Sequence, residues 1–205
     1  MRNFSVLPAI IFSLSLIFTP PSFAQEWAGE CRPTMSDVEG PFFLPDTPFR
    51  ELLAPPDEPG RWIKVEGRVL SGDCKTPLKD VLIEVWHTDS AGKYKGKDEG
   101  ALYRGRLKSG DDGSYSFMTI MPGRYRLGNS YRPAHIHFRL SSAGHRTLIT
   151  QLYFRGDPYL APNDPCGPGC RSDDALRIMK LEKVSPHPVG KFLIVLERLE
   201  KSGQQ

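Results

Sequence analysis

Hydrophobic and polar side chains alternate along much of the chain that follows residue 61. In residues 64–70, for example, the polar Lys64 and Glu66 alternate with Val65 and Val69. A period of two residues is typical of a β-strand that buries one face. Comparable patterns predict further strands at intervals of about ten residues. They cover residues 80–86, 115–120, 134–140, 147–154 and 191–197. The sequence therefore predicts a mainly β fold, an antiparallel β-sandwich.

Two segments depart from this pattern. Residues 25–60 are rich in Pro, Gly and Asp and show no helical period, so we expect an extended N-terminal arm that packs on a body formed by residues 61–205. Residues 172–182 predict one short C-terminal helix, because Ser172 is a suitable N-cap, acidic residues follow it, and apolar residues at helical spacing would face inward.

The composition is that of one ordinary globular domain of 205 residues, with 39% hydrophobic and 25% charged residues. The 19 glycines and 19 prolines favour turns and short strands over long helices. Lysine and arginine (27 residues) barely exceed aspartate and glutamate (24 residues), and no basic cluster marks a nucleic-acid surface. We therefore expect no nucleic-acid partner.

The first 24 residues have the organisation of a secretory signal peptide. Arg2 precedes an apolar stretch over residues 6–18, and Ser22-Phe23-Ala24 places small residues at the two positions that a signal peptidase recognises. The alternative is a membrane anchor, but the stretch is too short to cross about 30 Å of hydrocarbon. We expect residues 1–24 to be removed and the mature chain to be exported, to the periplasm or beyond, with no membrane partner.

Four cysteines, Cys31, Cys74, Cys166 and Cys170, follow the predicted signal peptide. An even count in an exported chain favours two disulfides. Three pairings are possible, and the sequence does not choose between them; in one of them Cys166 pairs with Cys170 across its turn. The alternative of a thiolate zinc site is weaker, because the spacing is not Cys-x-x-Cys.

A His-x-His motif offers candidate metal ligands in the strand predicted at 134–140. Alternate side chains of a strand point to opposite faces, so His135 and His137 share one face, while Ile136 and Phe138 share the other and face the core. Two imidazoles at this spacing can chelate one metal ion, and zinc, copper and iron all accept them. The alternative is an ordinary polar face of the sheet.

Two tyrosines strengthen the metal hypothesis. Tyr94 and Tyr125 both follow predicted strands and lie close to Gly92 and Gly123, in loops of the kind that carry functional side chains. Each tyrosine alone would more commonly be a packing residue. The remaining histidines have no partner at chelating spacing and are not predicted as ligands; they are His87, His145 and His187.

The ordered motifs of the chain resemble those of the intradiol ring-cleavage dioxygenases, most of all the protocatechuate 3,4-dioxygenase branch. The resemblance runs from about residue 39 to residue 158. The motifs are Gly40-Pro41-Phe42, Val85-Trp86-His87, Gly92-Lys93-Tyr94, Pro122-Gly123-Arg124-Tyr125, Arg132-Pro133-Ala134-His135-Ile136-His137-Phe138 and Thr150-Gln151-Leu152-Tyr153-Phe154.

This resemblance implies a β-sandwich enzyme with one non-haem Fe(III) per chain, whose substrates are O2 and a small catechol. The implied iron ligands are Tyr94, Tyr125, His135 and His137, with Tyr125 as the ligand that departs when substrate binds. This donor set is chemically reasonable, because a hard trivalent cation favours anionic oxygen. The implied reaction opens the ring between the two hydroxylated carbons and gives a cis,cis-muconate.

The resemblance also implies roles outside the metal ligands. Arg132 and Gln151 would be catalytic residues, Arg132 by stabilising negative charge on the substrate. Gly40 and Pro41 would contact the substrate ring.

Two alternatives compete with a dioxygenase. Prealbumin-like binding modules of exported proteins share the sandwich and perform no chemistry, and they need neither the His-x-His motif nor Arg132. The second alternative is a zinc or copper site on the same strand, for which two phenolates would be unusual ligands. The particular catechol and the oligomeric state stay open.

Overall fold

A computed structural model of the chain describes residues 31–162, 164–167 and 169–200. The predicted signal peptide, residues 1–24, and the first part of the predicted arm lie outside the described residues. None of the helices within the described part is long and apolar enough to cross a membrane.

The described residues are organised mainly as β-strands. They are β1 (Trp62–Ser71), β2 (Leu82–His87), β3 (Arg104–Lys108), β4 (Ser114–Ile120), β5 (Tyr125–Leu127), β6 (Ser130–Arg132), β7 (His135–Ser141), β8 (Leu148–Phe154), β9 (Ile178–Met179), β10 (Leu181–Glu182) and β11 (Val189–Leu196). Two single turns of 3-10 helix cover Lys97–Glu99 and Ala175–Arg177.

These strands form two main sheets and a small ribbon. The first sheet has the order β10-β11-β1-β4, the second has the order β3-β2-β7-β8-β9, and β5 pairs with β6. The prediction of a mainly β sandwich is confirmed. Two neighbouring pairs, β1 with β11 and β8 with β9, are parallel rather than antiparallel. The long connection after β8 leads to β9, which pairs with β8 at the edge of the second sheet, and the chain enters the first sheet at β10.

Alternation along the strands builds the core between the sheets. Ile136, Phe138 and Leu140 of β7 are fully buried and pack with residues of the first sheet such as Val65 and Ile194. Full burial of one such side chain stabilises the fold by about 1.5–3 kcal/mol. The opposite face of β7 is therefore left for His135 and His137.

The arm, residues 31–60, runs over the sandwich in extended form. The Asp37 amide donates to the Ile149 carbonyl (2.9 Å), and the Leu53 amide donates to the Met118 carbonyl (2.9 Å). Leu53 itself is fully buried in the core. The arm thus reaches both sheets, since β8 belongs to one and β4 to the other.

The prediction of a helix over residues 172–182 is wrong, because only a single 3-10 turn forms there. Asp174 caps the turn Ala175–Arg177 by accepting a hydrogen bond from the Leu176 amide. The chain then becomes extended, because Ile178 and Met179 pair with the end of β8. Pairing with an open sheet edge satisfies backbone groups that the isolated segment would have satisfied as a helix.

The cysteines form two disulfides, as predicted. Cys31 pairs with Cys74, which ties the start of the arm to the turn after β1, and Cys166 pairs with Cys170. The structure thereby selects one of the three pairings. Because all four sulfur atoms are paired, the thiolate zinc alternative has no free ligand.

Candidate metal centre

The face of β7 that is turned away from the core carries two buried imidazoles. His135 and His137 are 3% and 2% exposed. β7 lies inside its sheet, with Trp86 of β2 opposite His137 on one side and Gln151 of β8 opposite it on the other. A central strand offers little lateral freedom, so the two rings have a rigid base.

Tyr94 and Tyr125 meet these imidazoles. Tyr94 Oη lies 3.2 Å from His135 Nε2 and 2.8 Å from His137 Nε2. The Tyr125 ring lies edge-on to the Tyr94 ring (5.9 Å between centroids) and 5.7 Å from the His135 ring. Atoms that bind one ion at about 2.0–2.2 Å are about 3 Å apart when their bonds are perpendicular. The structure therefore brings all four predicted residues together, and the spacings between Tyr94 Oη and the two imidazole Nε2 atoms suit a shared ion.

Two glycines allow the tyrosine loops to approach each other. A Cβ atom at Gly92 would clash with the Arg124 carbonyl, and one at Gly123 would clash with the Gly92 amide. Gly92 also has φ +81°, in the left-handed region that glycine adopts without strain. The Gly123 amide donates to the Asp89 carbonyl (2.8 Å), which closes the contact. The loop that precedes Tyr94 and the loop that precedes Tyr125 are thus joined backbone to backbone.

The orientations of the imidazoles suit metal binding. The Nδ1–H of His135 donates to the Pro133 carbonyl (2.7 Å), which leaves the lone pair of Nε2 directed at Tyr94. The His137 ring stacks on Trp86, with centroids 4.8 Å apart and planes 5° apart. His137 Nδ1 is buried and has no hydrogen-bond partner among the described residues. Only Nε2 of His137 therefore contacts another donor of the group.

The electrostatics of the group also suit a cation. Burial, followed by the charge of Arg132, lowers the pKa of His135 to about 3, and burial lowers the pKa of His137 well below its usual range. Both imidazoles are therefore neutral at ordinary pH, as metal binding requires. Burial, followed by the neighbouring Tyr125, raises the pKa of Tyr94. A bound cation would reverse that shift by stabilising the phenolate. The residues fit a metal ion.

Arg132 and Gln151 lie next to this group and contact each other. The Arg132 guanidinium is 2% exposed and its Nη2 donates to Gln151 Oε1 (2.9 Å). Gln151 Nε2 donates to the Val38 carbonyl of the arm (2.8 Å). Arg132 is therefore a buried positive charge in a fixed position, not a surface group.

The arm covers the metal-binding group from the outside. Gly40, with φ +69°, lies so close that a Cβ atom there would be 3.7 Å from His137 Cε1. Pro41 follows it and is exposed, and the Phe42 ring stacks on Tyr94 at 4.2 Å. Both predicted substrate contacts thus lie at the mouth of the site.

Two residues that support the site, Arg104 and Asp164, were not predicted as site residues. The buried Arg104 donates to the carbonyl of Phe42, whose ring stacks on Tyr94, and to the carbonyl of Lys95, which follows Tyr94 in the sequence. Asp164 binds Arg132 across 32 residues of sequence. Arg104 lies in the motif Arg104-Gly105-Arg106, to which the sequence assigns no role in the site, and Asp164 belongs to no motif. The Trp86 stack could have been anticipated from its position opposite His137 in adjacent strands.

The other histidines have hydrogen-bond or ring partners other than the four donors. His87 is fully buried and lies within 2.7 Å of both the Thr88 carbonyl and Thr119 Oγ1. His145 contacts Ser71 Oγ, and the His187 ring lies against Trp62.

A comparison with protein families decides the assignment. The Dioxygenase_C family model, described as dioxygenase, matches residues 38–184. The chain belongs to the intradiol ring-cleavage dioxygenase family. This family uses non-haem iron.

Individual relatives agree with the family. The chain is 37% identical over 173 residues to chlorocatechol 1,2-dioxygenase of Rhodococcus opacus, covering 73% of this chain and 66% of that protein. It is 44% identical over 115 residues to the protocatechuate 3,4-dioxygenase beta chain of Burkholderia cepacia, covering 50% and 48%. The chain thus spans about two thirds of the length of the Rhodococcus protein and about half of the length of the Burkholderia protein.

Solved structures show the same fold. The crystal structure of 3-chlorocatechol 1,2-dioxygenase from Rhodococcus opacus is 25% identical with a TM-score of 0.72, covering 81% of this chain and 73% of that one. The dioxygenase domain of a dioxygenase carbohydrate-binding protein fusion from a Streptomyces species is 35% identical with a TM-score of 0.68, covering 82% of this chain and 99% of that one.

Proposed function

We propose that this protein is a ferric intradiol dioxygenase that inserts both atoms of O2 into a catechol. The ring opens between the two hydroxylated carbons and the product is a cis,cis-muconate. The observation that carries the proposal is the position of Tyr94 Oη, 3.2 Å from one imidazole Nε2 and 2.8 Å from the other. Family membership supports the class of reaction, and the names of the relatives support catechols as the class of substrate.

One Fe(III) per chain would be held by Tyr94, Tyr125, His135 and His137. Two phenol oxygens and two neutral imidazoles suit a hard trivalent ion better than zinc or copper. When bound, the ion supplies Lewis-acid chemistry towards the catechol oxygens.

The two tyrosines have different surroundings, which assign them different roles. Tyr94 is enclosed by the Phe42 ring on one side and contacts both imidazoles through its hydroxyl. Tyr125 touches the group through ring contacts with Tyr94 and His135. We therefore propose that Tyr125 would be the ligand that substrate displaces, and that its phenolate would accept a proton from a catechol hydroxyl.

Arg132 would act on the substrate through its charge. A buried guanidinium that is already in place stabilises negative charge as it develops, without rearrangement during the reaction. Gln151 holds Arg132 Nη2 and is itself held by the arm. Gly40 and Pro41 would contact the flat face of the aromatic ring, where a larger side chain at position 40 would intrude.

The test begins with the purified mature protein. We expect one iron per chain, a red-brown colour from phenolate-to-iron charge transfer, and O2 uptake with catechol that yields a muconate. A colourless protein that contains zinc, copper or no metal would contradict the proposal. A protein that binds catechols without consuming O2 would instead support the prealbumin-like binding module. A panel of substituted catechols, scored by O2 uptake, would define the preferred substrate.

We further propose that the mature protein is exported after removal of residues 1–24. The two disulfides support this proposal, because such bonds persist in oxidising compartments. Cell fractionation and mass spectrometry of the N-terminus test it. A mature protein that starts at Met1 in the cytoplasm, with four free thiols, would contradict it.

A further inference from the structure

Arg132 is anchored by the carboxylate of Asp164. Its Nε donates to Asp164 Oδ1 (2.8 Å) and its Nη2 donates to Asp164 Oδ2 (3.1 Å). The Asp164 side chain is fully buried. A two-point contact between two planar groups sets both the position and the rotation of the guanidinium. A single hydrogen bond, such as the one to Gln151, sets only a distance.

The geometry of this pair leaves one edge of Arg132 for the site. The hydrogen bonds of Arg132 to described residues use Nε and Nη2, and Nη1 takes part in none of them. Nη2 is shared by Asp164, Gln151 and Tyr153 Oη (3.3 Å). The Asp164 carboxylate therefore fixes the guanidinium through Nε and Nη2, so Nη1 is the nitrogen that remains for substrate.

Asp164 is in turn held by a small disulfide-closed loop. The Cys166 amide donates to Asp164 Oδ1 (3.2 Å), and the Gly167 amide donates to the Asp164 carbonyl (3.2 Å). Cys166 and Cys170 are joined four positions apart, and the Cys170 amide donates to the Gly167 carbonyl (3.0 Å). The loop lies outside the regular strands, so the covalent link supplies the rigidity that a sheet supplies elsewhere.

We propose that Asp164 is the positioning residue for Arg132, and that the Cys166–Cys170 disulfide keeps the Asp164 carboxylate in position to bind the guanidinium. This inference rests on the proposed role of Arg132 in ring cleavage. It predicts that Asp164 and the disulfide affect the reaction only through Arg132. A loop that served general stability alone would affect the reaction independently of Arg132.

A double-mutant cycle on the iron-loaded, mature protein separates these cases. The variants are Asp164→Asn, Arg132→Gln and the two combined. We expect Asp164→Asn to lower kcat by about 10–100-fold, as for other residues that orient a catalytic group. We expect iron content, charge-transfer absorbance and the KM for catechol to change little. In the Arg132→Gln background, Asp164→Asn should lower kcat no further.

Unfolding measurements on the same variants give a readout that does not depend on activity. Asp164→Asn should lower the unfolding midpoint of the wild-type protein, because it leaves a buried guanidinium without its carboxylate. In the Arg132→Gln background it should raise the midpoint, because it removes a buried carboxylate that has lost its partner. Effects of the same sign in both backgrounds would contradict the pairing.

The disulfide is tested against a matched control. Cys166→Ser with Cys170→Ser should lower kcat severalfold, and it should add nothing in the Asp164→Asn background. Cys31→Ser with Cys74→Ser removes the other disulfide, which lies away from Arg132; it should lower the unfolding midpoint and leave kcat of the folded enzyme unchanged. Equal effects of the two pairs on kcat would overturn the role of the Cys166–Cys170 bond.

The outcomes also distinguish this inference from the proposed function. If Arg132→Gln keeps wild-type kcat, the role proposed for Arg132 fails and this inference fails with it. If Arg132→Gln lowers kcat but Asp164→Asn does not, or if the two effects multiply in the combined variant, only the positioning role is overturned.

Discussion

Two groups of polar residues neighbour Gln151 and Tyr153, and they differ in how their hydrogen bonds are used. In the group around Arg177, its guanidinium binds the carboxylate of Asp37, the carboxylate of Asp174 and the Arg171 carbonyl. Asp37 also accepts from Tyr153 Oη (2.9 Å). In the metal-binding group, the Tyr94 hydroxyl and the imidazole Nε2 atoms contact chiefly one another.

This difference separates a structural role from a functional one. A buried ion pair with all its partners in place holds elements of the fold together, here the arm and the segment after β8. Neutral imidazole nitrogens and phenol oxygens that converge on one another offer lone pairs to a shared cation. His135 and His137 are as deeply buried as the residues around Arg177, so burial alone would not have distinguished the two groups.

The largest effect is expected from removing one imidazole of the metal-binding group. His137→Ala should leave iron-free protein without detectable O2 uptake, because two phenols and one imidazole do not hold the ion at neutral pH. Elemental analysis and the loss of the charge-transfer band measure this. His145→Ala is the matched control, because His145 contacts Ser71 and none of the four donors. Equal loss of iron in both variants would show that iron binding does not depend specifically on the metal-binding group.

Tyr125→Phe should have the next largest effect. It removes a phenolate and the proposed proton acceptor, so we expect kcat to fall by about 10²–10⁴-fold and part of the charge-transfer absorbance to disappear. The stacked Tyr94 should still provide the remaining band. Wild-type turnover in Tyr125→Phe would show that Tyr125 is not the ligand that departs.

Arg177→Met tests the structural group. It leaves the buried Asp37 carboxylate without its cation, so we expect the free energy of unfolding to fall by about 3–5 kcal/mol. Urea unfolding measures the loss. In the protein that remains folded, iron content and charge-transfer absorbance should be unchanged. If Arg177→Met lost iron without losing stability, the group around Arg177 would be required for metal binding and not for the fold.

The smallest effect concerns pH and the buried His87. Burial lowers the pKa of His87 to about 4, compared with about 6.5 in an unfolded chain. Between these values the unfolded chain binds a proton that the folded chain does not. The contribution of neutral His87 is therefore fully present above about pH 6.5 and is lost as the pH falls towards 4, by about 2 kcal/mol between pH 7 and pH 5.

Urea unfolding of iron-free wild-type protein and His87→Gln, each at pH 7 and pH 5, isolates this contribution. The wild-type protein should lose more stability than the variant as the pH is lowered. The comparison measures His87 together with its electrostatic interaction with His135 and His137, which are present in both proteins. Parallel losses in the two proteins would show that His87 is not responsible.

Periodicity along the sequence predicted six of the eleven strands in the described residues and the two faces of β7, but not β3, β5, β6, β9 or β10. Ile136 and Phe138 face the core and His135 and His137 face the site because side-chain direction alternates within a single strand, which is a local property of the backbone. The motifs predicted Tyr94 and Tyr125 as site residues, and the family comparison agrees that the chain is an intradiol dioxygenase. Neither gives the distance between the Tyr94 hydroxyl and the two imidazoles.

Only the tertiary structure decided which distant segments meet at the site. The contact between Gly92 and Gly123, the stacking of Phe42 on Tyr94 and the pairing of Arg132 with Asp164 each join parts of the chain that no local period relates. The segment after Asp174 became strand instead of helix because the edge of β8 was available to pair with it. Such contacts depend on the packing of the whole chain, since the free energy that selects them comes from partners far away in sequence.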